Sequence, residues 1–160
     1  LGANIFLTSE FIKVHVLTWK LERSYDNWKF EDVSLLTKMG DLLYFQDHKN
    51  KAEIWYRRAL LINPGESRTL NNLAWLLTET HNDDQKRLKE SMELAQKALE
   101  SKKTAFIWDT LAEAYFMNGL YDKAAEASHN ALESAEEGNG ISVEADLDYY
   151  KKRFKQMAGE

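Results

Sequence analysis

Four histidines, His15, His48, His81 and His129, are the side chains of this 160-residue chain best able to bind a metal or carry a proton. No two of them stand at i, i+4 or within a metal-ligand motif. His81 lies near Asp83 and Asp84, which reads as a polar loop rather than a cation site. The carboxylates Glu133, Glu136 and Glu137 gather at a helix end, with nothing to raise a pKa for acid–base work. Cysteine is absent, so thiol nucleophiles and disulfides are excluded. Neither a Gly-rich phosphate loop nor a Gly-x-Ser-x-Gly elbow occurs. The expectation is a chain that is not an enzyme, holding no metal and no cofactor.

Charge narrows the partners. There are 21 Lys plus Arg against 26 Asp plus Glu, a net charge of -5. With a pI near 5.5 the chain is a poor nucleic-acid binder, because phosphate contacts need clustered cations. The basic group Lys151, Lys152, Arg153 and Lys155 follows Asp146 and Asp148 and reads as a solvated helix face. No run of 18 apolar residues exists, so no direct membrane insertion is expected. Residue 1 is Leu, and the mostly apolar stretch 1–7 soon meets Glu10 and Lys13, which fits neither a signal peptide nor an anchor. An excised or processed piece of a longer protein is expected. Absent cysteine fits any compartment, so localisation is not readable.

The elements that would position functional groups are helices. Hydrophobic residues at 44%, charged at 29% and a single proline suit one well-folded domain. Between regular turn signals, apolar residues recur at i, i+3, i+4 and i+7, and no run alternates with period two. Helices are expected over 10–27, 33–46 after Asp32, 51–62 and 68–80 behind Ser67 as cap. Further helices are expected from the polar connection 81–85 to near Ser101, over 105–118 behind Thr104, over 121–136 and over 142–157. Asn63, Pro64 and Gly65, Gly119, and Gly138 to Gly140 supply the breaks. The chain reads as all-α.

An internal repeat orders them. Leu36, Met39, Gly40 and Leu43 return 34 positions later as Leu70, Leu73, Ala74 and Leu77, and again as Trp108, Leu111, Ala112 and Tyr115. The partner helices repeat as well: Ala52, Tyr56 and Ala59, then Ser91, Ala95 and Ala98, then Ala124, Ser128 and Ala131. The first shift there is 39 and the second 33, so a surplus of five falls between Thr80 and Ser91. Close crossing of antiparallel helices forbids large side chains at the contact, so Gly40, Ala74 and Ala112 should face Ala52, Ser91 and Ala124.

The runs Trp108-x-x-Leu111-Ala112-x-x-Tyr115, Ala124-x-x-x-Ser128-x-x-Ala131, and Ala52-x-x-x-Tyr56-x-x-Ala59 ending at Pro64 resemble the tetratricopeptide repeat signature. Ala95 and Ser128 depart from its usual aromatic, and Lys103 and Glu136 from its usual proline. The resemblance implies a right-handed superhelix of three helix pairs over 33–66, 67–104 and 105–138. A flanking N-terminal segment, 1–32, would precede them, and a capping helix within 141–158 would close the array, whose last apolar surface would otherwise meet water.

Such arrays bind partners on the inner wall built from the first helix of each pair. Carried over by the resemblance, the partner-binding residues are Asp41, Tyr44 and Phe45, then Arg68, Asn71, Asn72, Trp75 and Glu79, then Phe106, Asp109, Glu113 and Phe116. Ser34, Thr37, Thr78, Thr110 and Met117 stand beside them. The implied function is a non-catalytic scaffold holding a peptide or partner protein. Asparagines and Arg68 would hold main-chain amides, aromatics would anchor, and Asp41, Asp109 and Glu113 would favour a basic ligand. Trp75 and Phe116 could instead be interhelix core. Chaperone-tail receptors of this family use Lys, Asn, Asn, Lys and Arg where this chain has Thr37, Asp41, Asn72, Phe106 and Thr110. Only Asn72 agrees, so no chaperone-tail receptor is expected. Two alternatives remain: self-association through Trp19, Trp28 or segment 1–7, with Trp55 also outside the groove, and a regulatory domain of a longer, membrane-associated or enzymatic protein.

Overall fold

The computed structural model describes residues 32–80, 84–138 and 144–159, with side chains in the last stretch from Asp148 onward. The expected helix over 10–27, Trp19, Trp28, segment 1–7, His15, His81 and Asp83 lie outside the described residues. Seven helices and no strand are present among those described: α1 Val33–Phe45, α2 Lys49–Ile62, α3 Ser67–Thr80, α4 Gln85–Ser101, α5 Ala105–Met117, α6 Tyr121–Glu136 and α7 Glu144–Ala158.

Local chemistry sets their ends. Asp32 caps α1 by accepting from the Leu35 amide at 3.2 Å, and Asp84 caps α4 by accepting from Lys86 and Arg87 amides at 3.0 and 3.2 Å. At α3 the cap is Glu66, not Ser67: the Glu66 carboxylate accepts from the Thr69 amide at 2.6 Å. Ser67 lies inside the helix, and its hydroxyl donates to the Ala98 carbonyl at 3.1 Å. A carboxylate at the helix start is favoured by the unpaired amides and by the macrodipole, which outweighs the usual preference for serine. Thr104 stands at the start of α5 but makes no side-chain cap bond. Gly119 takes φ +72 between α5 and α6, a conformation that side chains other than glycine rarely adopt.

Helices pair antiparallel along the chain, α1 with α2, α3 with α4 and α5 with α6, and α7 lies against α6. First helices also touch one another, α1 with α3 and α3 with α5, and form an inner layer. The small positions are buried as the repeat requires: Ala52, Ala59, Ala74, Ser91, Ala95, Ala98, Ala112, Ala124, Ser128 and Ala131. Leu36, Leu43, Leu70, Leu73, Leu77 and Leu111 fill the space beside them, whereas Trp108 and Tyr115 are half-buried. Ala112→Leu is expected to destabilise by about 1–3 kcal/mol through overpacking, read as a drop in urea midpoint at unchanged m-value.

Two details differ from the sequence reading. Around Gly40 the nearest atoms belong to Tyr56, not Ala52: a Cβ at Gly40 would lie 2.5 Å from Tyr56 Cδ1. Glycine is needed there because the tyrosine ring occupies the space a Cβ would take. Trp55, counted among groups outside the groove, is 5% exposed and belongs to the core beneath α1, so it offers no adhesive face.

The surplus between Thr80 and Ser91 goes partly into α4, which begins six residues before Ser91, where α2 begins three before Ala52. This added turn is tied to α2 by charge. Arg57 grips Glu90 with both terminal nitrogens at 2.6 and 3.0 Å and reaches Glu53 at 2.8 Å through Nε, while Arg87 pairs with the other Glu53 oxygen. The Arg57 guanidinium holds the Glu90 carboxyl below its ordinary pKa of 4.5, against the opposing effect of burial. A carboxyl with a depressed folded pKa stabilises the fold above its unfolded pKa and loses that contribution as pH falls through the folded value. Glu90→Gln should therefore melt below wild type at neutral pH, and the gap should close between about pH 5 and about pH 3. An unchanging gap in melting scans would show that the pair does not titrate with folding.

Candidate functional site

The inner layer encloses a hollow of about 650 Å³. From α1 it is lined by Asp41, Tyr44 and Phe45, from α3 by Arg68, Asn71, Asn72 and Trp75, and from α5 by Phe106, Asp109 and Thr110. Helical spacing explains the convergence, since residues three and four apart share one face and three parallel first helices present three such faces side by side. Nine of the twelve candidate residues meet there. Glu79 and Glu113 line a neighbouring hollow of about 220 Å³ with Trp75, Thr78 and Met117. Phe116 is in neither: it packs edge-to-face on Tyr121, centroids 5.4 Å apart, where α5 turns into α6.

Polar groups in the hollow are knitted together. Asp41 accepts from Tyr56 Oη at 2.9 Å, Arg68 at 2.6 Å and Asn72 Nδ2 at 2.7 Å, joining α1, α2 and α3. Burial, then the charge of Asp41, pushes the Tyr56 hydroxyl pKa up, so it remains a donor. Trp75 Nε1 donates to Tyr44 Oη at 3.0 Å, and Tyr44 donates to Glu79 at 2.8 Å, which also meets Lys49 Nζ at 3.1 Å. Burial and then Glu79 push the Tyr44 pKa up in the same way. Trp75 is thus a half-buried wall residue with its one donor already engaged.

The far wall comes from an element not counted among the binding helices. Tyr149 and Tyr150 of α7 line the hollow, and Tyr149 Oη donates to Asp109 at 2.8 Å. Arg153, one turn on, reaches Asp109 through Nε at 3.1 Å and pairs with Glu113 through a terminal nitrogen. Burial works against its charge, but Glu113 and Asp109 prevail and raise its pKa. The basic cluster at this end is therefore not a uniform solvated face. Lys151, Lys152 and Lys155 are exposed, whereas the Arg153 side chain is 14% exposed. The 149/153 spacing was a legible hint of a shared face, but which face turns inward depends on how α7 crosses α6.

Among the described residues no group of three or more His, Asp or Glu could hold a metal ion, and no helix is long and apolar enough to cross a membrane. His129 meets Glu133 at 3.4 Å on the outside of α6.

No protein-family model and no curated protein matches the chain by sequence. Solved structures do match by shape. The crystal structure of the Sgt2 TPR domain from Aspergillus fumigatus superposes with a TM-score of 0.60 at 24% identity, covering 80% of this chain and 82% of that one. MamA 41-end from Desulfovibrio magneticus RS-1 gives a TM-score of 0.61 at 15% identity, covering 91% and 88%. Likeness at these identities speaks for the fold, and it agrees with helix pairs closed on buried small residues. The chain is an all-α helical-repeat protein with a tetratricopeptide-repeat-like fold.

Proposed function

We propose that this chain is a non-catalytic interaction scaffold of three helix pairs, 33–66, 67–104 and 105–138, whose concave hollow holds a segment of a partner protein. The observation that carries this is the hollow of about 650 Å³, into which aromatic rings and amide groups from α1, α3, α5 and α7 converge. Phe45 and Phe106 stand 82% and 39% exposed at its edge, apolar surface ready to be covered. A basic ligand is a weaker prospect than the carboxylate count suggests, because Asp41, Asp109 and Glu113 each hold an arginine of the chain itself. The test is affinity capture of partners with wild type, followed by titration of the captured protein against Phe45→Ala/Phe106→Ala. Affinity should fall about tenfold or more, as for interface aromatics. Unchanged affinity would put the binding surface elsewhere.

A second reading is supported by one feature outside the hollow. Ile54, Leu61 and Ile62 are 51%, 83% and 43% exposed and lie at helical spacing on one face of α2. That stripe suits self-association, as a structural or regulatory domain of a longer protein. Light scattering of wild type and Leu61→Glu discriminates: a dimer lost on substitution supports this reading, and a strict monomer at high concentration removes it.

A further inference from the structure

Every carboxylate of the hollow and of its smaller neighbour already has a partner. Asp41 is held by Arg68, Asn72 and Tyr56, and Asp109 by Arg153 and Tyr149. Glu113 is held by Arg153, and Glu79 by Lys49 and Tyr44. An incoming lysine or arginine would meet carboxylates whose charge is already offset and would gain less from them. The unpaired group is neutral. Asn71 lines the hollow at 7% exposure, and its Nδ2 makes only a 3.4 Å contact with Asn72. Its Oδ1 is buried without any hydrogen-bond partner in the chain. A buried amide oxygen left without a donor is costly, so a ligand that supplies the donor gains that cost back as affinity. The weak contact on Nδ2 leaves the amide free to turn toward it.

The groups flanking Asn71 are rings. Trp75 comes from the same helix, Phe106 from α5 and Tyr149 from α7, the last two 39% and 44% exposed. Resting on the groove reading above, we infer that the occupant is an extended, uncharged segment of a partner protein. It seats one large apolar side chain against Trp75, Phe106 and Tyr149 and donates a main-chain N–H to Asn71 Oδ1. An extended segment suits this geometry, because a helix spends all but its first few N–H groups internally. Binding built this way depends little on salt, since no net charge is exchanged.

The probe is a random-peptide library displayed on phage, selected on the full chain. The enriched peptide is then titrated by fluorescence polarisation at low and high salt against wild type, Phe106→Ala and Asn71→Leu. Enrichment of an aromatic or leucine anchor flanked by uncharged residues is expected. Phe106→Ala should weaken binding about tenfold, and high salt should change it less than about twofold. Asn71→Leu deletes the lone acceptor at similar volume, so it should weaken binding about fivefold while the melting temperature stays level or rises, which a merely structural asparagine would not do. A Lys- or Arg-anchored consensus whose binding still needs Phe106 overturns this inference and leaves the groove reading standing. Peptides indifferent to Phe106→Ala overturn both, and an absence of enrichment overturns the inference. A concentration-dependent dimer abolished by Phe106→Ala would make a second copy the occupant and overturn it equally.

Discussion

Arg153→Met is expected to lower the unfolding free energy by about 3–5 kcal/mol. Arg153, Asp109 and Glu113 have side chains only 14%, 8% and 23% exposed, so removing the guanidinium strands two carboxylates away from water. Leaving a charge buried and unpaired costs far more than the pair itself contributes, and this asymmetry decides the magnitude. Urea denaturation of Arg153→Met measures it, and Arg153→Met/Asp109→Asn/Glu113→Gln supplies the control. With all three charges gone, most of the lost stability should return. A loss below about 1 kcal/mol in the single variant would mean that α7 does not hold these carboxylates as described. The same substitution should alter binding. It frees Asp109, which lines the hollow, of its cation, so a basic peptide ignored by wild type should bind the variant, with affinity that falls as salt rises.

Gly40→Ala is expected to cost about 3 kcal/mol, although alanine in a helix interior is ordinarily worth about 1 kcal/mol over glycine. A Cβ at this site would meet the Tyr56 ring at 2.5 Å from Cδ1 and 3.0 Å from Cζ, inside any tolerable contact. The ring cannot swing away cheaply, because its hydroxyl donates to Asp41 and the residue is 2% exposed. Steric strain therefore outweighs helix propensity. Thermal and urea unfolding of Gly40→Ala test this, with Gly40→Ala/Tyr56→Leu as the partner: the double variant should regain part of the loss. If Gly40→Ala were as stable as wild type, the close approach would not be to the tyrosine.

The fold was legible because it rests on short-range and periodic information. A small residue at Gly40, Ala74 and Ala112, and at Ala52, Ser91 and Ala124, repeats at nearly constant spacing, and a helix pair turns that spacing directly into a buried seam. Breaks at Pro64 and Gly119 are equally local. The middle insertion was visible as a number, but its destination, an added turn of α4 locked by Arg57 and Arg87, required knowing that α2 and α4 stand side by side. The choice of Glu66 over Ser67 as cap came down to a side chain long enough to fold back on the Thr69 amide.

The wall of the hollow was half legible for the same reason. Asp41, Asn72, Trp75, Phe106 and Asp109 could be placed on one wall from sequence, since their register follows the repeat. Phe116 shares that register and still left the hollow, because Tyr121 offered it an edge-to-face contact across the α5–α6 turn. Tyr149, Tyr150 and Arg153 lie outside the repeat, so no period predicts where they point. Sequence alone determined that paired helices form and which small residues let them close, since those depend on side-chain size and backbone periodicity along one chain. Whether the inner wall would be acidic or neutral was decided only in three dimensions, where the crossing of α7 over α6 carries one arginine to two carboxylates forty-four and forty positions away.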